Sequence, residues 1–207
     1  LSKDYARRYA NYVCYFTNEQ KQQLYSAEFA EQMLSINSED LMADLFDQAQ
    51  TKNRLDQTLF ADFNGYLPDD LMVKVDIATM AVSLEGRSPF LDHELLELTA
   101  KIPFNLKLKG RDNKKYILKE ALRGLVPDEV MFRPKMGFGV PIEHWFRGDL
   151  AGYTEDLLLS PKLEQRGLFK REEMKRILYG HQHTKVNFAN QIWALLTLEL
   201  WFQEYFD

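Results

Sequence analysis

Apolar positions recur at three- and four-residue intervals through most of this chain, the spacing that gathers side chains on one face of an α-helix. Residues 1–64 contain no glycine and no proline, so helices there must be separated by polar caps. Tyr5, Tyr9, Tyr12, Val13 and Phe16 make the first stripe. Thr17 is placed to cap a short helix from Asn18 to about Tyr25, and Ser26 to cap the next, through Phe29 and Met33. Ser38 starts another helix, because Glu39 and Asp40 suit the positive end of its dipole; its stripe is Leu41, Leu45 and Phe46. Lys52 to Phe63 repeats the pattern with Leu55, Leu59 and Phe60. These aromatic and aliphatic stripes read as core.

All seven prolines fall between Pro68 and Pro161, which concentrates irregular backbone in the middle of the chain. After Pro68, Asp69 and Asp70 open a helix to about Leu84 whose apolar residues cover more than one face, so it is expected to be well buried. Lys74 and Asp76 lie inside that run, where they must pair or face solvent. Gly86 and Pro89 break the helix, Glu85 and Arg87 flank the turn, and Asp92 caps a helix through Leu95, Leu96 and Leu98. Those two charges stand close enough to pair with each other or to hold an ionic ligand. Pro103 to Gly110 reads as a loop with an extended piece at Asn105–Leu108, and Asp112 or Asn113 as the cap of a helix ending at Gly124. Further helices are expected at Asp149–Leu159, from Pro161 to Gly167, and at Glu172–Tyr179. The last, about Val186–Phe206, is apolar nearly all round and should be central to a core. No strand pairing, repeat or low-complexity tract stands out, and the fold class is mainly α.

One stretch does not fit a plain helix–helix connection. Arg133-Pro134-Lys135-Met136-Gly137-Phe138-Gly139-Val140-Pro141 has a proline near each end and two glycines between them, with apolar residues that can anchor it. Arg133 and Lys135 are thereby cations on a stiff segment, and fixed positive charge in a partly dry site is what a phosphate needs. A connection carrying two surface cations accounts for the same residues.

Charge changes the picture little: 26 basic and 31 acidic residues give a net charge of −5, with no reason to expect bulk binding to nucleic acid or an anionic membrane. Cys14 is the one cysteine, so no internal disulfide forms, and a reducing, cytoplasmic setting is expected. Cys14 lies in a tyrosine-rich helical stripe, which makes it a poor nucleophile. His181 and His183 are two residues apart without an acidic or cysteine partner at helical spacing, and no metal site is expected. The chain opens at Leu1 within a helical pattern and is read as part of a longer protein.

Four segments carry a family resemblance: Val73–Ala81, Ser83–His93, Arg133–Pro141, and Trp193–Leu196 with Leu198–Trp201. In this order they resemble the C-terminal half of glutamine-hydrolysing asparagine synthetases, from about residue 60 to the end. The resemblance implies the helical C-terminal portion of an adenine-nucleotide alpha-hydrolase-like (ATP-pyrophosphatase) synthetase domain, here a single helical domain over 1–207. It implies adenylation of aspartate by ATP with Mg2+, followed by attack of glutamine-derived ammonia. Lys135 matches the lysine that stabilises charge on the phosphates, and is the expected catalytic residue. Arg133, Arg87, Asp76, Glu85 and Gly137 are the expected substrate- or phosphate-binding positions. The family's Ser-Gly-Gly-x-Asp-Ser loop and Gly-Glu-Gly-(Gly/Ser)-Asp-Glu segment are not in these residues, and Leu1 stands in place of a glutaminase cysteine. The upstream part of the same synthetase is therefore the expected partner, a homodimer is compatible, and the isolated piece is expected to be inactive, with no cofactor of its own. Two alternatives remain: a related amidotransferase or lactam-forming ligase with another carboxylate substrate, and a non-catalytic helical interaction module.

Overall fold

The structure, a computed structural model, describes residues 5–134, 137 and 139–207. It is mainly helical. In chain order the elements are α1 (Tyr5–Val13), α2 (Asn18–Leu24), α3 (Ala27–Gln32), α4 (Ser38–Gln48), α5 (Arg54–Ala61), a π-helical stretch (Asp62–Met72), α6 (Val73–Met80), a 3-10 turn (Pro89–Leu91) and α7 (His93–Lys101). There follow α8 (Phe104–Lys107), β1 (Leu108–Lys109), β2 (Asn113–Lys114), α9 (Tyr116–Ala121), α10 (Asp128–Met131), α11 (Ile142–Arg147), α12 (Ala151–Leu158), α13 (Pro161–Gln165), α14 (Arg171–His183) and α15 (Ala189–Tyr205). By contacts the chain divides into two compact units, one formed by Leu1–Ala43 with Phe138–Asp207 and the other by Asp44–Gly137.

The first unit is built around α15. Ile192, Leu195 and Leu196 of that helix pack with Phe146 of α11, Leu158 of α12, Leu163 of α13 and Met174, Ile177 and Leu178 of α14, and α2 contributes Leu24. The polar caps expected near the N-terminus form: Thr17 Oγ1 accepts from the Gln20 amide while Gln20 returns a bond to the Thr17 amide, and Ser26 Oγ accepts from Phe29. Backbone bonds from Ser26 N to Leu168 O (2.9 Å) and Lys170 N to Leu24 O (2.8 Å) tie α2 and α3 to the segment before α14. One ion pair lies inside this packing. Arg166 spans Glu199, which is fully buried, and Asp207, with Nε–Oε2 at 2.7 Å and Nη2–Oδ2 at 2.6 Å, and lies over the Phe202 ring. Both carboxylates hold the guanidinium charged, and Arg166 followed by Lys162 lowers the Asp207 carboxyl below its ordinary range. The last helix is less enclosed than its composition suggests: Trp193, Leu200, Trp201 and Tyr205 are exposed, since one face alone meets α11, α12 and α14.

The second unit departs further from the expected pattern. Helix α5 does not stop before Pro68; it runs on through the π-helical stretch into α6. A proline in a regular helix clashes with the carbonyl four residues back and removes a donor, and a wider turn relieves both. Gly65 lies against α4, where an added Cβ would stand 2.9 Å from Leu45 Cδ1. Helix α6 ends at Met80 and none of its residues is buried, contrary to the expectation of a well-buried helix. Its apolar side chains have no facing layer among the described residues of this unit: Ile77 is 65% exposed. Residues 103–114 form α8 and a two-residue antiparallel pairing, Leu108 with Lys114 and Lys109 with Asn113, too short to show a period-two pattern. Asp112 and Asn113 belong to that hairpin and do not cap α9; Lys115 precedes α9 in a left-handed conformation, φ 59°. The Asp92 cap forms, accepting from the Glu94 and Leu95 amides.

Candidate functional site

Helix α6 and the turn that follows it bring three of the sequence-predicted residues onto one stretch. Ser83 turns the chain at φ 58°, and the Leu84 amide bonds back to the Thr79 carbonyl at 3.0 Å. Gly86 then passes close over α6: a Cβ there would meet Val75 Cγ1 at 3.3 Å and Thr79 Oγ1 at 3.7 Å. The absent side chain is what allows this approach, and it sets Glu85 and Arg87 beside the turn of α6 that carries Asp76. Glu85 and Arg87 pair with each other in a two-point fork, Nε–Oε1 at 3.0 Å and Nη2–Oε2 at 3.2 Å. The pair is exposed, so its attraction is screened, but the fork fixes the guanidinium plane and leaves Nη1 outside the described hydrogen bonds. Asp76 is exposed, and Lys74 reaches back one turn to Asp70 at 3.0 Å.

Arg133 follows α10 and is exposed, as is Gly137; no hydrogen bond or ion pair joins Arg133 to Asp76, Glu85 or Arg87 among the described residues. Lys135, the expected catalytic residue, lies outside the described residues, with Met136 and Phe138. Within the first unit, the end of this segment is anchored firmly. Pro141 precedes α11 and its carbonyl accepts from His144 at 3.0 Å and Trp145 at 3.2 Å. Arg147, at the other end of α11, donates to three carbonyls of the turn between α14 and α15: His181, Thr184 at 2.7 Å and Val186 at 3.0 Å. Glu143 receives Arg147 at 3.4 Å and Asn187 at 2.6 Å.

His181 completes this anchor. It is fully buried, its Nδ1 accepts from the Phe188 amide at 3.1 Å, and its Nε2 therefore carries the proton donated to the Glu143 carbonyl at 3.2 Å. Burial pushes its pKa down, against the opposing effect of the Glu143 carbonyl. The sequence reading missed this network. The i,i+4 spacing of Glu143 and Arg147 was visible, but nothing along the chain showed which carbonyls the guanidinium would meet. His181 and His183 sit in the last turn of α14, and no cluster of three or more metal-ligating side chains occurs among the described residues. Cys14 is half-buried, and burial raises its pKa, which keeps the thiol protonated. A cavity of about 590 Å3 opens in the second unit beside β1, and none of the predicted site residues lines it.

Comparison with known proteins agrees with the family resemblance. The chain is 28% identical over 167 residues to asparagine synthetase (glutamine-hydrolyzing) 1 of Bacillus subtilis (strain 168), covering 81% of this chain and 26% of that protein. It is 36% identical over 141 residues to a putative asparagine synthetase (glutamine-hydrolyzing) of Mycobacterium bovis, 68% of this chain and 21% of the relative. Amidase chyE of Penicillium rubens is 34% identical over 97 residues, 44% of this chain and 14% of that protein. The chain thus spans about a quarter of the length of these synthetases. No solved structure matches. No helix among the described residues is long and apolar enough to cross a membrane. The asparagine synthase family profile matches residues 2–203, which takes in both units and extends the likeness well upstream of residue 60, and the chain belongs to that family.

Proposed function

We propose that this chain is the helical part of the synthetase half of a glutamine-hydrolysing asparagine synthetase. Aspartate attacks ATP to give aspartyl-AMP and pyrophosphate, and ammonia released from glutamine displaces AMP to give asparagine. The observation that carries this reading is the family match over residues 2–203, which includes the Arg133–Pro141 segment and the α6–Arg87 stretch. In the proposal Lys135 neutralises charge on the departing pyrophosphate, and Arg133 assists it from the same segment. Gly137 lets backbone approach the phosphates. Arg87, oriented by Glu85, offers its remaining Nη1 group to an anionic oxygen, and Asp76 supports the same stretch.

The described residues fit ATP only in part. They provide cations and a close-approach glycine, but no phosphate-cradling loop and no carboxylate cluster for Mg2+. The proposal therefore assigns the adenine, ribose and Mg2+ contacts to other parts of the synthetase, which would be this chain's first partner. It places the enzyme in the cytoplasm and leaves a homodimer compatible.

In the intact synthetase, Lys135→Ala should reduce aspartate-dependent pyrophosphate release by a factor on the order of a hundred to a thousand, the range for loss of one charge-stabilising group. Unchanged release with retained fold would falsify the reading. The 207 residues alone should release no pyrophosphate from ATP and aspartate. A second reading keeps adenylation and changes the carboxylate; the relative named an amidase shows that proteins similar to this chain are not all named asparagine synthetases. A panel of carboxylic acids assayed for pyrophosphate release decides between them, aspartate being the best substrate under the first reading and a poor one under the second.

A further inference from the structure

The cavity beside β1 belongs to none of the chemistry assigned above. Its volume of about 590 Å3 is in the range that takes small molecules, and it opens to solvent. Leu55 of α5, Phe104 and Leu106 of α8 and Leu108 of β1 give it an apolar wall. Beyond them Gly110, at φ 69°, adds no side chain, and nothing lies within 4 Å of where its Cβ would be, so that side of the mouth is clear.

The polar groups at the mouth have a definite donor pattern. Lys109 Nζ donates to the Tyr116 hydroxyl at 3.0 Å and lies 4.3 Å from the centre of its ring. The phenol oxygen accepts that bond, so its own O–H is left to donate, and the ammonium retains two further N–H groups. Two donors, one of them charged, therefore stand 3.0 Å apart, a separation that one carboxylate or phosphate can bridge. Contact with Tyr116 raises the Lys109 pKa further, which secures its charge near neutrality. Asn53 adds a third donor: its Oδ1 is occupied by the Leu55 and Asp56 amides, which leaves its NH2 group for a ligand. The local field has the same sign. Residues 107–116 hold five Lys or Arg and one Asp in a chain of net charge −5; Lys107 is engaged by Asp56 at 3.0 Å, and Glu120 of α9, which also acts on Lys109, is forked by Arg123 at 2.9 and 3.3 Å.

We propose that this cavity binds a small organic anion, a carboxylate or phosphate monoester carried on an apolar body of at least aromatic-ring size. The anionic oxygens bridge Lys109 Nζ and the Tyr116 hydroxyl, and the apolar body covers Leu55, Phe104, Leu106 and Leu108. The inference is independent of the adenylation reading, since no residue is shared between them.

The test is a titration of the protein with phenyl phosphate and phenylacetate, followed by the amide NMR shifts of Leu108, Lys109, Gly110 and Tyr116. Benzyl alcohol serves as the neutral comparator. Both anions should shift these amides saturably, and the tighter of the two identifies the headgroup. Lys109→Met should weaken the anions on the order of tenfold, the size of one charge-assisted hydrogen bond, and leave benzyl alcohol unchanged. Tyr116→Phe keeps the ring beneath Lys109 and removes the hydroxyl; it should weaken the anions by a smaller factor, about threefold, and it carries the test if Lys109→Met does not fold. Equal binding of anions and benzyl alcohol, shifts confined to other residues, or wild-type affinity in both variants would overturn the proposal.

Discussion

The two units use the same kind of sequence to different ends. In the first, apolar stripes from α2, α11, α12, α13, α14 and α15 converge, and Phe146, Ile192 and Leu178 are almost completely enclosed. In the second, buried side chains are few among the described residues, Phe46, Ala49 and Ala61, while Val75, Ile77, Val82, Leu84 and Phe90 are exposed. The first unit is held by burial, with Arg166 and Arg147 clamping its polar interior. The second is held largely by backbone bonding along one continuous helical run, by caps such as Asn53 and Asp92, and by partly buried pairs such as Lys107–Asp56. An amphipathic pattern is thus a request for a facing layer, and it does not reveal whether that layer lies among the same residues. Of the sequence-predicted residues, Asp76, Glu85 and Arg87 belong to the exposed unit, and Pro141 precedes α11 of the enclosed one.

The contrast can be broken most directly in the first core. Phe146→Ala should destabilise the first unit by about 3–5 kcal/mol, a large cavity where packing cannot relax. Trp145, Trp193 and Trp201, the three tryptophans of the chain, all lie in that unit, so denaturant unfolding followed by tryptophan fluorescence reads it alone. A midpoint unchanged within error would mean that this core does not hold the unit together. Arg166→Met should cost about 3 kcal/mol by the same measurement, because Glu199 would be left buried without its cation. If Arg166→Met with Glu199→Leu recovers most of that loss, the penalty lies in the orphaned charge and not in lost packing.

The next effect depends on pH. His181 has its folded pKa below the ordinary 6.5, so the unfolded chain takes up the proton first. Stability of the first unit should be full above about 6.5 and should fall as pH drops through the lower folded value. Protonation of Nδ1 would also remove the acceptor for the Phe188 amide. His181→Asn should flatten this dependence between neutral pH and pH 5, as read by chemical denaturation at each pH; an unaltered slope would assign it to other groups. The smallest effect belongs to the second unit. Ile77→Ser should change stability by no more than about 0.5 kcal/mol, since its side chain is already mostly in water. A loss above about 2 kcal/mol would show that α6 is covered in solution and would erase the distinction between the units.

Much of the helical architecture was legible along the chain, and particular residues show why. Thr17, Ser26 and Asp92 act through bonds to amides two or three residues away, so their caps follow from local sequence. The Glu85–Arg87 fork is equally short-range, whereas the close approach of Gly86 is to Val75 and Thr79, on the preceding helix. What failed required distant information. Pro68 looked like a break, but a widened helical turn carries the chain through it. Asp112 and Asn113 resembled a helix cap, yet Leu108 and Lys109 recruit that segment into a hairpin. The anchor of Arg147 on His181, Thr184 and Val186 joins residues 34 to 39 positions apart, beyond the reach of any periodicity.

By itself the sequence indicated most of the helical segments, where several of them are capped, and a resemblance to the asparagine synthase family. Tertiary structure alone decided which apolar faces are covered, how Lys109 and Tyr116 come to share one cavity, and what holds the end of the Arg133–Pro141 segment. The physical reason is range. Periodicity and capping are set by neighbours within about one helical turn, whereas burial and convergent donors depend on which distant surfaces the folded chain brings into contact.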